Sequence, residues 1–277
     1  MKRETSESRA GNDRASYQER TGSKKENVLQ DASSGRDRFS GPISDEYPLW
    51  RLARPYLHEV HDAVSKRVRG FVASQNRRIL AVDVGCGDGE ITKILLESGN
   101  VDVVAIDNEP KMIEQAQARL SKWVEEGRLE IIQKDALHYL ADCPSNHFDI
   151  VASGYVYHNM PACFREEVLR EALRTLRSSG IFINADKYAQ EGEAHYHALR
   201  WQMKKFFDVF GGAGKVDLLR EWVFHYLDDE YTDKFMPEAQ AIESMQRMGF
   251  TRIETIFRRH MDAIVIAQKS EVEAVST

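Results

Sequence analysis

The segment Ile79-Leu-Ala-Val-Asp-Val-Gly-Cys-Gly-Asp-Gly-Glu90 carries three structural signals in succession. Its first half is branched and apolar (Ile79, Leu80, Val82, Val84), the composition of a strand buried on both faces. Gly85-Cys-Gly-Asp-Gly89 ends the strand, and Ile91, Ile94 and Leu95 follow at helical spacing. A strand, a glycine turn and a helix in this order form a ligand-binding crossover, with the helix N-terminus and its unpaired N–H groups facing the ligand. One glycine permits a sharp turn. Another keeps a side chain away, so that a ligand can lie against the backbone.

The glycine spacing is G-x-G-x-G, whereas nucleotide-phosphate sites read G-x-G-x-x-G. Asp83 sits within the end of the strand, and a carboxylate there suits an ammonium-bearing ligand better than a pyrophosphate. On these residues the chain resembles the class I S-adenosylmethionine-dependent methyltransferases, whose first strand and turn read (D/E)-x-G-x-G-x-G, here Asp83, Gly85, Gly87 and Gly89. Cys86, inside the turn, joins the candidate cofactor contacts.

Further strand ends continue the resemblance. Val101–Asp107 reads as a second parallel strand, and Asp107 at its end can accept hydrogen bonds from both ribose hydroxyls. Asn108 follows it, Pro110 suits the first turn of a helix, and the family often sets the Met112 position against the adenine. Leu129–Gln133 is a third strand, and Asp135 and Ala136 match the positions that serve the adenine amino group and ring. Asn146–Gly154 resembles the family's fourth-strand segment, with Asp149 in a positional role and Ser153 at the ligand-facing end. The resemblance covers roughly residues 42–270. It implies a seven-stranded, mostly parallel, doubly wound α/β sheet of order 3-2-1-4-5-7-6 with helices on both faces.

Tyr155-Val-Tyr-His-Asn-Met-Pro161 comes next. Many small-molecule members carry a histidine here, which makes His158 the candidate polar group beside the acceptor, with Tyr155 and Asp186 as further catalytic candidates. The (N/D)-P-P-(Y/F/W) motif of enzymes that methylate base amines in nucleic acid is not present at this place. An imidazole titrates near neutrality and can act as a general base. A helix is expected over Glu166–Arg177, broken by Ser178-Ser-Gly180, and a fifth strand over Ile181–Asp186.

Residues 188–236 interrupt the alternation of strand and helix and are rich in aromatic side chains. They read as a helical lid that excludes water and selects the substrate. Trp201 in this insertion, Tyr157 after the fourth strand, and Tyr47 and Trp50 before the first are the candidate acceptor contacts. His195 and His197 stand two apart, on different helix faces, so no metal site is expected.

Composition bounds the remainder. The 277 residues, 42% hydrophobic, suffice for one large domain. A net charge of −6 gives no basic bias toward nucleic acid. Cys86, Cys143 and Cys163 form no CxxC pair, and an odd, sparse count fits a reducing cytoplasm. No apolar run approaches the roughly 20 residues that span a bilayer. Residues 1–40 hold only eight hydrophobic residues, too few to offset ordering entropy, and read as a disordered polar tail before a domain over 41–277.

The expected function is methyl transfer from S-adenosylmethionine to a small molecule, with the oligomeric state and the methylated atom open. A relative acting on a tRNA base with that cofactor or a derivative, and a cofactor-binding protein without turnover, are the alternatives. A nicotinamide dehydrogenase is disfavoured by the glycine spacing.

Overall fold

The computed structural model describes residues 42–231 and 233–270. The expected polar tail over residues 1–40 lies outside them, as do the last seven residues. Two helical turns, Pro42–Asp45 and Tyr47–Trp50, and a 3₁₀ turn, Arg51–Ala53, lead into helix α1, Leu57–Ala73. A five-fold alternation follows: β1 (Ile79–Val84), α2 (Glu90–Glu97), β2 (Val101–Asp107), α3 (Pro110–Glu125), β3 (Leu129–Gln133), α4 (Ala136–Asp142), β4 (Phe148–Gly154), α5 (Ala162–Thr175) and β5 (Leu176–Lys187). The insertion comprises α6 (Gly192–Phe206), a π turn (Phe207–Gly211) and α7 (Val216–Asp229). Helix α8 (Glu238–Met248) and the hairpin β6 (Phe250–Arg259) and β7 (Asp262–Lys269) complete the chain.

The seven strands run in the order β3-β2-β1-β4-β5-β7-β6, as the sequence resemblance implies. β1 pairs in parallel with β2 (Val84 opposite Ile106) and with β4 (Asp83 opposite Ala152), whereas β7 is antiparallel to both its neighbours. The strand order reverses between β1 and β4, and in doubly wound sheets ligands bind outside the carboxyl ends at that reversal.

Period-two side chains feed two cores. Ile79, Ala81, Ile150 and Ile183 face one side, packed with Val60, Val64 and Val68 of α1, Leu95 of α2 and Phe206 and Trp222 of the insertion. Val82, Val84, Val151 and Phe182 face the other, packed with Leu140 of α4, Val168 and Ala172 of α5, and Met245 of α8. Among the described residues no helix is long and apolar enough to cross a membrane.

Two boundaries differ from the expectation. Helix α5 ends at Thr175, and β5 already starts at Leu176. Ser178-Ser-Gly180 is therefore not a break before the strand but a distortion within it. The pairing with β4 shifts register there, and Ser179 adopts a left-handed φ of 62°. Asp149 anchors this end of the sheet. Its carboxylate accepts from Arg77, from Arg177 and from the Leu80 N–H at 2.9 Å. Burial works against the charge, but these donors hold its carboxyl below the usual carboxylate range.

A buried ion pair ties the insertion to the sheet. Arg54, 3% exposed, donates to Asp262 at the start of β7 and to the Tyr226 hydroxyl of α7. Its guanidinium carbon lies 4.5 Å from the centres of both the Trp50 and the Tyr155 rings. Removing one partner strands a buried charge, which typically costs about 3–5 kcal/mol. Arg54→Met is expected to lower the unfolding free energy by that order in urea titrations. A loss below about 1 kcal/mol would show that the pair is structurally idle.

Candidate functional site

The glycine turn sits at the carboxyl end of β1, next to the strand-order reversal. Gly85, Gly87 and Gly89 all adopt left-handed φ values, which side chains disfavour. Their surroundings differ. A Cβ on Gly85 would stand 2.5 Å from Val156, so this glycine lets the post-β4 loop close on the turn. A Cβ on Gly87 would meet nothing within 4 Å, so this glycine borders open space. Around the turn, Asp88 and Glu90 are held by Arg119 (3.2 and 2.8 Å) and Arg51, which pins the N-terminal segment against the glycines.

Asp107 lies across the turn. Its carboxylate accepts from the Gly87 N–H and the Glu109 N–H, both at 2.9 Å. Burial raises its carboxyl above the usual range, and these backbone donors pull the other way. Each oxygen accepts one of these backbone bonds and has a second lone-pair direction for a hydroxyl.

Asp83 is fully buried beneath the turn. One oxygen accepts from the Thr92 hydroxyl at 2.6 Å; the other has no hydrogen-bond partner within the protein. Burial pushes this carboxyl up to about 7. A buried carboxylate oxygen without a partner is costly and fits an incoming cationic donor. The sign of the linkage follows. Folding raises this pKa, so the stability contributed by the neutral form is fully present below the unfolded value near 4 and is lost as pH rises through about 7. Asp83→Asn is therefore expected to raise the melting temperature of the ligand-free protein by several degrees at pH 8 and little at pH 5. Equal shifts at both pH values in differential scanning calorimetry would refute the assignment.

The other predicted cofactor contacts divide. Asn108 is exposed at the rim, and Met112 is 3% exposed. Asp135 caps α4, accepting from the His138 N–H at 3.1 Å, with Ala136 opening that helix. The Ser153 hydroxyl is buried at the end of β4 without a partner in the protein, a second orphaned polar atom beside the turn. Cys86 is buried, its N–H donates to the Ile106 carbonyl at 2.9 Å, and burial pushes its thiol up, so it acts through its backbone. Two orphaned polar atoms, a paired acidic strand end and a bare glycine fit an S-adenosylmethionine molecule with its ammonium toward Asp83 and its ribose toward Asp107.

The post-β4 loop brings the catalytic candidates to the carboxyl ends of β4 and β5. Tyr155 takes a left-handed φ of 60°, and its side chain joins Trp50 in an edge contact at 5.1 Å. The next turn, Tyr157–Asn159, carries His158, 7% exposed, whose Nδ1 lies 2.5 Å from Asp186. Asp186 is itself fixed by the N–H groups of Tyr157 (2.9 Å) and Lys187 (2.8 Å). An acidic partner on Nδ1 selects the tautomer with its proton there, which leaves the lone pair on Nε2. That nitrogen points toward α7, 3.7 Å from Asp229.

The aromatic candidates are not brought together. Trp50 and Tyr155 share a cluster with Trp222, which stacks on Trp50 at 6.1 Å. Tyr157, 1% exposed, packs on Phe182 in the core of the opposite face. Trp201 stacks on His260 at 4.0 Å, near the β6–β7 turn. The Tyr47 side chain lies outside the described residues. His195 bonds Glu230 at 2.6 Å while His197 is exposed, so this pair shares no site. Sequence reading missed Arg54, Trp222, His225 and Asp229. The last two stand four apart on α7 and so share one face, a signal that was present.

Comparison with known proteins bears on the family and the fold. A family model for a methyltransferase domain matches residues 81–180. A demethylmenaquinone methyltransferase of Leptospira interrogans is 30% identical over 180 residues, which are 61% of this chain and 69% of that protein. An uncharacterized protein of Haemophilus influenzae is 35% identical over 125 residues, 44% of this chain, and the match spans about half (46%) of that relative's length. Among solved structures, phosphoethanolamine N-methyltransferase 2 of Haemonchus contortus, in complex with S-adenosyl-L-methionine, superposes with a TM-score of 0.51 over 76% of this chain and 52% of that one, at 13% identity, a likeness of fold alone. With the sheet order, the glycine turn and the strand-end acids in place, the chain belongs to the class I S-adenosylmethionine-dependent methyltransferases.

Proposed function

We propose that the protein moves the methyl group of S-adenosylmethionine to a small-molecule acceptor held between the ends of β4 and β5 and the helical insertion. The observation that carries this reading is the His158–Asp186 pair, buried beside the glycine turn and covered by α7. The cofactor supplies a methyl group activated on a sulfonium. The chain's own residues position, desolvate and activate the nucleophile. Trp50, Tyr155 and Trp222 form an aromatic cluster around Arg54 beneath the insertion, and Asp186 fixes His158 so that Nε2 faces α7. Helices α6 and α7 act as the lid, latched through Tyr226 to Arg54 and Asp262. The burial of His158 and Asp186 suits a small acceptor better than a polynucleotide, in keeping with the net charge of −6.

Incubation with radiolabelled S-adenosylmethionine and separated fractions of a cell extract tests this. Label in the low-molecular-weight fraction is expected. Label in RNA alone would favour the base-modifying alternative. Binding of the cofactor with no label in any fraction would favour a protein without turnover.

A further inference from the structure

We propose that His158, His225 and Asp229 form a binding site for a divalent transition-metal ion. One ligand atom from each residue lies within 4.8 Å of the others, and all three residues are buried. Nε2 of His158 and Nε2 of His225 stand 3.7 and 3.9 Å from the same Asp229 oxygen. Bond lengths of about 2.0–2.1 Å in a tetrahedral zinc site set ligand atoms about 3.4 Å apart. The two contacts to Asp229 are a few tenths of an ångström longer than that, and all three atoms lie within 4.8 Å, so modest side-chain rotation closes the cluster around an ion.

Three further features point to a metal. First, His158 is already oriented for it. Its Nδ1 is engaged by Asp186 at 2.5 Å, the carboxylate–histidine arrangement that fixes the tautomer and turns the other nitrogen to the ion. Second, the charges leave room for a cation. With neutral imidazoles, Asp186, Asp229 and Glu230 outnumber the nearby Lys187 and Arg165. Lys187 lies 3.4 Å from Asp229 and 3.1 Å from Glu230, so it can remain on Glu230 when Asp229 takes an ion. Third, Trp222 covers one side of the cluster, meeting the His225 ring at 5.2 Å. Two imidazoles and one carboxylate suit zinc, iron, cobalt or manganese better than calcium or magnesium, which prefer all-oxygen sets. Three protein ligands leave coordination positions open, the pattern of catalytic rather than structural sites.

The proposal deepens the reading above and rests on it for its purpose. An ion on Nε2 takes the lone pair otherwise open to a proton. An acceptor oxygen or sulfur held by such an ion would lose its proton to solvent and take the methyl group as the sulfonium S–CH3 bond breaks and S-adenosylhomocysteine leaves, so the acceptor class narrows to molecules with such an atom.

Zinc binding is measurable with neither cofactor nor acceptor present, which keeps the two readings separable. The full chain, stripped with a chelator, is titrated with zinc chloride by calorimetry, and cobalt(II) absorption reports the ligand geometry. One equivalent is expected per chain. His225→Gln and Asp229→Asn should weaken binding by more than the 10- to 100-fold expected of Asp186→Asn, which changes the residue behind His158 rather than a ligand. His195→Ala, outside the triad, should keep full affinity. S-adenosylmethionine titration of each variant reports that the fold is intact. Zinc binding that is unchanged in His225→Gln and Asp229→Asn, or no zinc bound by the wild-type chain, overturns the site and leaves methyl transfer standing.

Discussion

Asp107→Ala is expected to weaken S-adenosylmethionine binding by about two to four orders of magnitude. A hydrogen bond to a charged group contributes about 1.5–3 kcal/mol. Two ribose hydroxyls on one carboxylate therefore account for about 3–6 kcal/mol, with each 1.4 kcal/mol worth a factor of ten. The structure adds a second route to the same loss. Asp107 holds the Gly87 N–H at 2.9 Å, so its removal also loosens the turn on which the cofactor lies. Asp107→Asn separates the two effects. The amide oxygen still accepts one backbone bond, while the charge and one acceptor are gone, so an intermediate loss is expected. Calorimetric titration of both variants checks this. Unchanged affinity in Asp107→Ala would remove Asp107 from the cofactor site.

His158→Ala is expected to lower kcat by about 10²–10⁴-fold, the usual range for a group that activates a nucleophile, while cofactor affinity stays within a few-fold of wild type. The separation follows from geometry. His158 is bonded to Asp186 and faces α7, whereas Asp83, Asp107 and Gly87, the residues proposed to hold the cofactor, cluster at β1 and β2. Asp186→Asn tests the pairing. It reverses the partner of Nδ1, so kcat should fall while KM for the acceptor changes little. A His158→Ala enzyme with full kcat would show that positioning alone drives transfer. Both experiments use whichever acceptor fraction takes up label.

The parts legible in the sequence were those written in short, local patterns. The Ile79–Val84 run, the three glycines and the helix behind them occupy nineteen residues, 79–97, and their backbone demands leave few other readings. Asp107 and Ser153 were legible because a parallel strand announces its own carboxyl end. The start of β5 was not. Ser178-Ser-Gly180 carries turn chemistry and is itself an irregular step with a left-handed Ser179, yet Leu176 before it and Ile181 after it both pair with β4, so the strand continues across it. Asp83 was legible as a position but not as an environment: the sequence shows a carboxylate near a turn, and only packing shows it wholly buried on Thr92.

The acceptor side was less legible still, because its residues meet only in the fold. Arg54 and Asp262 are 208 positions apart. Tyr155 and Tyr157 both looked like pocket residues, but the left-handed backbone at Tyr155 and the turn behind it send them to opposite faces of the sheet. His225 and Asp229 stand four apart on α7, but only the fold brings them to His158.

The cofactor site is the claim on which the rest depends, and calorimetric titration of the purified full-length chain with S-adenosylmethionine, with NADH in parallel, tests it most directly. One equivalent of S-adenosylmethionine bound with micromolar affinity and no heat from NADH is the predicted result. Binding of NADH, or of neither compound, would contradict the assignment of the Gly85–Gly89 turn as the seat of the cofactor.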